Sequence, residues 1–274
     1  MCVLPNLIII MKFNIFLLFL ILLPFTIKAQ TYKAIYKIEF ASNLLNLTHI
    51  KKERAILMID GNTQSTFTTE NVYKQDSLKK LIEKGQINAH ELMNDKYPRS
   101  SFKHFVDKKY ETQDMRISNV LVVDNYIYNQ KNELNWQLFS DTLKVKNYVC
   151  NKATTSNEGR KYTAWYTPEI PISDGPYKFW GLPGLILKIY DSENHYTFTL
   201  ESFEKYEGKQ YDIPFGTIKS FEVSYDEFKQ KSQEVTENPR KAFELERNMR
   251  ITSIDGKSPS LSPSTTKPNF IGRF

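Results

Sequence analysis

The sequence predicts a mainly β protein, with a curved antiparallel meander sheet or incomplete barrel and two or three helices. Aromatic residues make up 14% of the 274 residues, and Tyr and Phe favour strands because they pack well on a pleated surface. Between residues 115 and 203, apolar stretches alternate with turn residues at spacings of about 8–12 residues, which indicates an antiparallel meander. Such meanders close or half-close, because an exposed edge pairs with other chains.

Composition and charge exclude several classes of protein. Hydrophobic residues at 41% and charged residues at 25% are typical of a globular chain rather than a disordered one. The formal net charge is +6, and no run of Lys and Arg exceeds three residues. Nucleic-acid binding needs a concentrated basic face, so no nucleic-acid partner is predicted.

The N-terminus has the pattern of a secretion signal. Lys12 precedes the largely apolar stretch 13–23, and the small residue Ala29 follows a few positions later. Cleavage is expected after Ala29, with Met11 as a better start than the first Met. The alternative is a membrane anchor, because residues 3–27 are nearly all apolar and long enough to span a bilayer. With cleavage, we expect an exported protein of the periplasm or outer-membrane surface, without a membrane span.

The chain is expected to divide into three parts. Residues 1–29 form the signal peptide, residues 30–254 form a single β-rich domain, and residues 255–274 form a flexible tail. The tail is expected to be mobile because residues 255–268 contain three Pro and four Ser.

The first elements of the domain are predicted to be strands over residues 31–72. Apolar and polar side chains alternate over 32–40, as on a strand with one wetter face. Gly61-Asn62-Thr63 separates two strand-like stretches and indicates a hairpin.

A helix is predicted over residues 76–94. Asp76 or Ser77 supplies a cap, and Gly85 suits the position just after the helix. The polar segment that follows, to about residue 114, is predicted to be a loop.

The C-terminal part of the domain is predicted to be helical. Ser224 and Glu227 have the spacing of a capping box at the start of a helix over about 225–237. Asn238-Pro239 is typical of the start of a second helix, with Pro at its first position.

The segment 148–191 carries the most specific pattern in the chain. Its core is the hexapeptide Gly181-Leu182-Pro183-Gly184-Leu185-Ile186. Ordered flanking matches are Tyr148-x-Cys150-x-Lys152-Ala153, Arg160-x-Tyr162-x-Ala164-Trp165-Tyr166, Ile170-Pro171-Ile172 and Gly175-Pro176-Tyr177-x-Phe179. This pattern resembles the GLPGLI family of Bacteroidetes exported proteins.

The resemblance implies export and a genomic association with outer-membrane transport receptors. It implies no catalytic residues, because the family has no established biochemical activity. The predicted organisation is also similar to the half-barrel lipoprotein carriers of the cell envelope, which is an analogy of fold.

Residues 168–184 are predicted to form a constrained loop between two strands. Its four prolines forbid regular ladder bonding, and Leu182-Pro183-Gly184-Leu185 suits a type II turn. The loop either plugs one end of the core or serves as a lid over an apolar pocket. The residues expected to shape the segment are Gly175, Pro176, Gly181, Pro183, Gly184, Leu185, Ile186 and Cys150, and those expected to contact an apolar ligand are Trp165, Phe179, Trp180 and Leu182.

No pattern in the sequence supports catalysis. Cys150 with His195 and either Asp174 or Asp191 would make a thiol nucleophile set, but Cys150 alternates along a strand and is expected to be a small core residue. The four His residues lack the spacing of metal ligands, so no metal and no cofactor is predicted.

Three functions follow, in order of preference. The first is a non-enzymatic envelope protein that binds an apolar ligand, lipid or peptide, in its concave sheet. The second is an accessory protein of an outer-membrane receptor, docking through an exposed strand edge or the loop. The third is a hydrolase that uses Cys150 or a pair of acids.

Overall fold

The computed structural model describes the domain but not the two ends of the chain. The predicted signal peptide, the predicted helix after Pro239 and the predicted tail lie outside the described residues. The described residues are 30–42, 46–61, 63–88, 90, 99–121, 124–207 and 220–238.

The described residues form one 12-stranded open sheet and two helices, which confirms the mainly β prediction. The strands are β1 (Thr31–Ala41), β2 (Ile50–Asp60), β3 (Gln64–Thr69), β4 (His104–Lys109), β5 (Asp114–Leu121), β6 (Asp124–Lys131), β7 (Gln137–Val145), β8 (Tyr148–Asn157), β9 (Arg160–Thr167), β10 (Leu185–Asp191), β11 (Tyr196–Lys205) and β12 (Ser220–Glu222). The helices are α1 (Glu70–Glu83) and α2 (Tyr225–Glu237).

Two meanders join along the first strand. The strand order is β12-β6-β5-β4-β3-β2-β1-β11-β10-β9-β8-β7. All neighbours are antiparallel except β12 and β6, which are parallel. Because β1 pairs with β2 on one side and with β11 on the other, it connects the meander β1–β6 to the meander β7–β11.

The sheet is strongly curved. Eight strand spacings separate β6 from β9 in the strand order, which is roughly 38 Å in a flat sheet at about 4.8 Å a spacing. Gln130 at the end of β6 nevertheless lies 3.5 Å from Glu158, in the turn between β8 and β9. The two halves of the sheet therefore face each other around a common core.

Strand alternation places the core on the concave face. In β1, the buried residues Tyr36 and Ile38 join the main core cluster. Ile35, the residue before Tyr36, points to the convex face. There it joins a small cluster that packs against Tyr73 of α1. Period-2 alternation thus separates a large inner core from a small outer one.

Helix α1 starts six residues before the earlier of its two predicted caps. Thr69 caps it, and its Oγ1 accepts a hydrogen bond from the Val72 amide at 3.3 Å. Asp76 lies inside the helix, paired with Lys80 at 3.1 Å. The start was missed because β3 runs directly into α1 without a break. The predicted end at residue 94 is also wrong: the helix ends at Glu83, and Gly85, with a φ of 68°, follows its end as predicted.

Helix α2 confirms the predicted capping box. Ser224 and Glu227 exchange both reciprocal hydrogen bonds, and the helix spans Tyr225–Glu237. Neither this helix nor α1 is long and apolar enough to cross a membrane, and the same holds for the rest of the described chain.

The predicted loop before residue 114 is wrong, because it contains strand β4. The polar sequence of β4 concealed a buried face that includes Lys108, which is fully buried. A buried ammonium needs a partner, and that partner, Asp174, lies 66 positions away along the chain.

Residues 168–184 form no strand, as predicted, but the predicted type II turn is wrong. The Gly184 amide donates to the Leu182 carbonyl at 2.8 Å, which closes a three-residue turn around Pro183. The Leu185 amide instead donates to the Ile170 carbonyl at 3.0 Å. Gly184 has a φ of 148°, and a Cβ atom there would lie 2.1 Å from the Thr167 carbonyl oxygen.

We predict that Gly184→Ala destabilises the fold far more than Gly85→Ala. Both glycines have positive φ, but a Cβ atom at Gly85 meets no atom within 4 Å. Gly85→Ala is expected to cost about 1 kcal/mol from the backbone conformation alone. In Gly184→Ala, the new Cβ atom also pushes the backbone at residue 184 away from the Thr167 backbone. We therefore expect the urea concentration at the unfolding midpoint of Gly184→Ala to lie well below that of Gly85→Ala. Equal midpoints would contradict the close approach.

Candidate functional site

The loop 168–184 fills the concave face of the sheet. Tyr177, Phe179, Trp180 and Leu182 are each at most 2% exposed. The Phe179 ring lies 4.6 Å from that of Tyr162. Three of the predicted ligand contacts are thus packed in the core, so a ligand that reached them would have to displace the loop. Their role in binding remains a prediction.

Trp165, the fourth predicted ligand contact, does not lie on the concave face with the other three. It lies on β9 between the buried residues Ala164 and Tyr166. Because successive strand residues point to opposite faces, its side chain is directed away from the face that carries those two. Trp165 is half-buried and packs at the margin of the core.

A buried ion pair ties the loop to β4. Lys108 Nζ donates to Asp174 Oδ1 and to the Gly175 carbonyl, both at 2.6 Å. Tyr110 donates its hydroxyl to Asp174 Oδ2 at 2.7 Å. Burial lowers the pKa of Lys108, and the charge of Asp174 opposes this effect. Burial, and then the charge of Asp174, raises the pKa of Tyr110 well above its usual value.

A second buried ion pair, between Lys178 and Glu158, holds the other side of the loop 168–184. Lys178 Nζ lies 2.6 Å from Glu158 Oε1 and donates to Gln130 at 3.1 Å. Tyr225 of α2 donates its hydroxyl to the same Glu158 oxygen at 3.0 Å. The Lys178 ammonium also lies 5.6 Å from the ring centre of Tyr128. This cluster joins the loop, β6, the β8–β9 turn and α2.

Sequence analysis considered Asp191 and His195 only beside Cys150, and it missed the third cluster, which these two residues form with Glu193 at the β10–β11 hairpin. The side-chain ligand atoms of Asp191, Glu193 and His195 lie within 4.8 Å of one another. However, Arg160 Nη1 lies 2.8 Å from Asp191 Oδ2 and 3.2 Å from His195 Nδ1. A guanidinium already supplies the positive charge, so the cluster is a structural ion pair. The spacing Asp-x-Glu-x-His across a turn was the signal that could have revealed it.

Among the described residues, no hydrogen bond joins Cys150 to His195, Asp174 or Asp191, the residues of the thiol hypothesis. Cys150 is fully buried, and its Sγ contacts the Tyr148 carbonyl at 3.9 Å. Burial raises the pKa of the Cys150 thiol to about 11, so it stays protonated at neutral pH. Asp174 is engaged by Lys108, and Asp191 by Arg160.

A cavity of about 320 Å³ opens at one end of the concave face. It lies where strand ends converge: the end of β1, the start of β2, the start of β4, the end of β5 and the start of β11. Its lining residues are Phe40, Ser42, Lys51, Ser100, Ser101, Phe102, Lys103, His104, Asn119, Val120 and Tyr196.

The floor of the cavity is aromatic and continuous with the core. The Phe40 ring stacks on Tyr196 at 6.2 Å and meets Phe102 edge-on at 5.5 Å. All three rings belong to the main core cluster. The open end of the half-barrel is therefore the place where core aromatics adjoin a free volume.

Glu53 shapes the wall of the cavity. Its carboxylate accepts hydrogen bonds from the Ser101 amide at 2.6 Å, the Phe102 amide at 3.2 Å and the Ser100 hydroxyl at 2.6 Å. These bonds hold the segment before β4 in a fixed conformation, so the wall is preorganised.

Two lysines lie at the cavity. Lys51 Nζ donates to Ser101 Oγ at 2.9 Å. Desolvation, followed by the charges of Arg99 and Lys79, lowers the pKa of Lys103. Sequence analysis did not single out this site, because its residues come from several distant strand ends and share no motif.

The His104 side chain forms an uncharged part of the cavity wall. Its ring lies 4.2 Å from that of Phe102, and its Nδ1 atom is buried without a hydrogen-bond partner among the described residues. Burial, and then the charge of Lys178, lowers the pKa of His104 to about 3. The imidazole is therefore uncharged at neutral pH.

Comparison with known proteins supports the fold and the distinctive segment. Residues 156–188 match the family model described as "Protein of unknown function (Porph_ging)", and this stretch lies within the segment 148–191. No curated protein matches the sequence.

The solved structures that match this chain share little sequence with it. PNGF-II matches in two crystal forms: one with a TM-score of 0.50 and 15% identity, the other with a TM-score of 0.49 and 16% identity, each over 74% of this chain. This chain spans only about a third of PNGF-II, 33% in the first form. The LolA superfamily protein NE2245 from Nitrosomonas europaea matches with a TM-score of 0.25 and 10% identity, over 68% of this chain and 88% of its own. The first likeness shows a shared fold over three quarters of the chain.

We predict that Lys108→Met destabilises the protein by about 3–5 kcal/mol, because it leaves a buried carboxylate without its cation. Lys108→Met combined with Asp174→Asn removes both charges and is expected to recover much of this loss in urea unfolding. The exposed pair Lys131–Asp114, at 2.7 Å, provides the control. Lys131→Met should change stability little, and an equally small effect of Lys108→Met would refute the anchoring role.

We predict that His104 makes the protein sensitive to acid. Its pKa is about 3 in the fold against 6.5 in the unfolded chain, so stability is highest above pH 6.5 and is lost as the pH falls towards 3. At pH 4.5 the loss of stability from this group, relative to pH 7, is about 2.5 kcal/mol. Urea unfolding at pH 7 and pH 4.5 should show a smaller pH effect in His104→Gln. His90→Gln, at an exposed position, should keep the wild-type effect, and identical profiles for both variants would contradict the assignment.

Proposed function

We propose that the protein is an exported, non-enzymatic binding protein of the cell envelope, and that it holds an apolar ligand of lipid or peptide type at its concave face. The observation that carries this proposal is the cavity at the open end of the half-barrel, with the core rings Phe40, Phe102 and Tyr196 as its floor.

The filled part of the concave face restricts where a ligand binds. Phe179 and Trp180 are covered by their own neighbours, and two buried ion pairs hold the loop that carries them. The cavity needs no such displacement. At about 320 Å³ it lies at the small end of the usual range of ligand sites, so it suits a small ligand or the end of a longer chain.

Two further observations support the proposal. The apolar stretch after Lys12 and the small residue Ala29 are typical of a secretion signal. The buried, protonated Cys150 and the engaged Asp174 favour binding over hydrolysis.

Strand β7 favours a second candidate, an accessory protein that docks on an outer-membrane receptor. β7 is an edge of the sheet and is exposed over most of its length. Leu138 and Leu143 on β7 are 54% and 40% exposed, and Val149 on β8 is 55% exposed. An edge strand of this kind pairs readily with another chain.

Native mass spectrometry of the full chain, purified from the cell envelope and then extracted with organic solvent, tests the proposal. We expect a chain that begins near Gln30 and carries a discrete added mass, which is recovered in the organic phase. A chain that retains its N-terminal residues would contradict cleavage. A mass without any bound molecule would overturn the binding role and leave the edge-strand candidate.

A further inference from the structure

We propose that the ligand is an anionic single-chain amphiphile, with its charged head group held by Lys51 and Lys103 and its apolar chain on the aromatic floor. This inference rests on the proposed function, since it names the class of ligand that the cavity would take.

The cavity carries two cationic side chains. Lys51 and Lys103 are among its lining residues, and among the described residues none that lines it is acidic. Glu53 stands behind the wall, with both oxygens engaged by the segment 100–102. Within the described part of the chain, neither lysine forms an ion pair with a carboxylate, whereas the neighbouring Lys52 pairs with Glu39 at 3.1 Å.

The positive charge of the two lysines at the cavity would attract an anionic group. Lys103 is partly desolvated and lies close enough to Arg99 and Lys79 to feel their charges. A bound carboxylate, sulfate or phosphate would relieve this repulsion and accept charge-assisted hydrogen bonds from the ammonium groups.

The floor favours an acyl chain over a peptide. The polar side chains of the cavity lie mostly on its wall, where the Ser100 hydroxyl is already bonded to Glu53. On the floor, the side chains of Phe40 and Phe102 offer no hydrogen-bonding group. Peptide amides buried against these rings would lose partners, at about 1–3 kcal/mol for each unsatisfied group. A hydrocarbon chain carries no such groups.

Titration calorimetry with three ligands of the same chain length, each kept dilute enough to be dissolved as monomers, tests this proposal. The ligands are decanoate, decanol and decyltrimethylammonium, which differ only in the head group. We expect decanoate to bind about tenfold more tightly than decanol, and the cationic compound to bind most weakly. Added salt should narrow the difference between decanoate and decanol.

Two double variants that each remove two lysine charges test whether the ligand binds in this cavity. The double variant Lys51→Gln and Lys103→Gln should reduce decanoate affinity about tenfold, to the level of decanol, and leave decanol binding unchanged. The matched control is Lys109→Gln with Lys161→Gln, which removes the same charge from two exposed positions on β4 and β9. This control should retain the preference for decanoate.

Each alternative outcome contradicts a different statement. Equal affinities for decanoate and decanol would overturn the anionic head group and leave apolar binding intact. A decanoate preference that survives in the double variant would overturn the assignment to this cavity. Tighter binding of acetyl-trileucine than of decanoate would assign the site to peptides. Absence of binding by every ligand would count against the proposed function itself.

Discussion

The loop 168–184 depends on the buried ion pair between Lys108 and Asp174 for its place on the sheet. Its prolines prevent it from joining a ladder, so isolated backbone hydrogen bonds, such as that from the Leu185 amide to the Ile170 carbonyl, and buried side chains hold it in place. Lys108 reaches both Asp174 and the Gly175 carbonyl, and Tyr110 satisfies the second carboxylate oxygen. Because both Asp174 oxygens are bonded and the Lys108 ammonium has two acceptors, the loop can bury its aromatic residues outside a regular ladder.

The same arrangement maintains the curvature of the sheet. Lys178 extends from the loop to Gln130 on β6 and to Glu158 beyond β8. These positions are far apart along the strand order and close in space, so the loop acts as a brace between the two meanders. The concave face of an open sheet is otherwise a large apolar surface, and here the chain covers most of it with its own residues.

What the loop leaves uncovered is the end of the half-barrel where the strand ends meet. The aromatic floor at Phe40 and Phe102 adjoins two lysines, so apolar and cationic surfaces lie side by side. This combination distinguishes the cavity from the sealed part of the core. Under the proposed function, the charge of the head group, rather than the length of the chain, would be the property that selects a ligand.

The sequence alone determined the elements whose signals are local. Alternation over 32–40 predicted β1, the Ser224–Glu227 spacing predicted α2, and the prolines predicted an irregular segment 168–184. Tertiary structure decided everything that joins distant residues: strand β4, concealed by the polar character of Lys108 until Asp174 is placed beside it, and a cavity gathered from several strand ends. Short-range patterns report backbone conformation, whereas a buried charge or a shared cavity depends on partners that no spacing along the chain reveals.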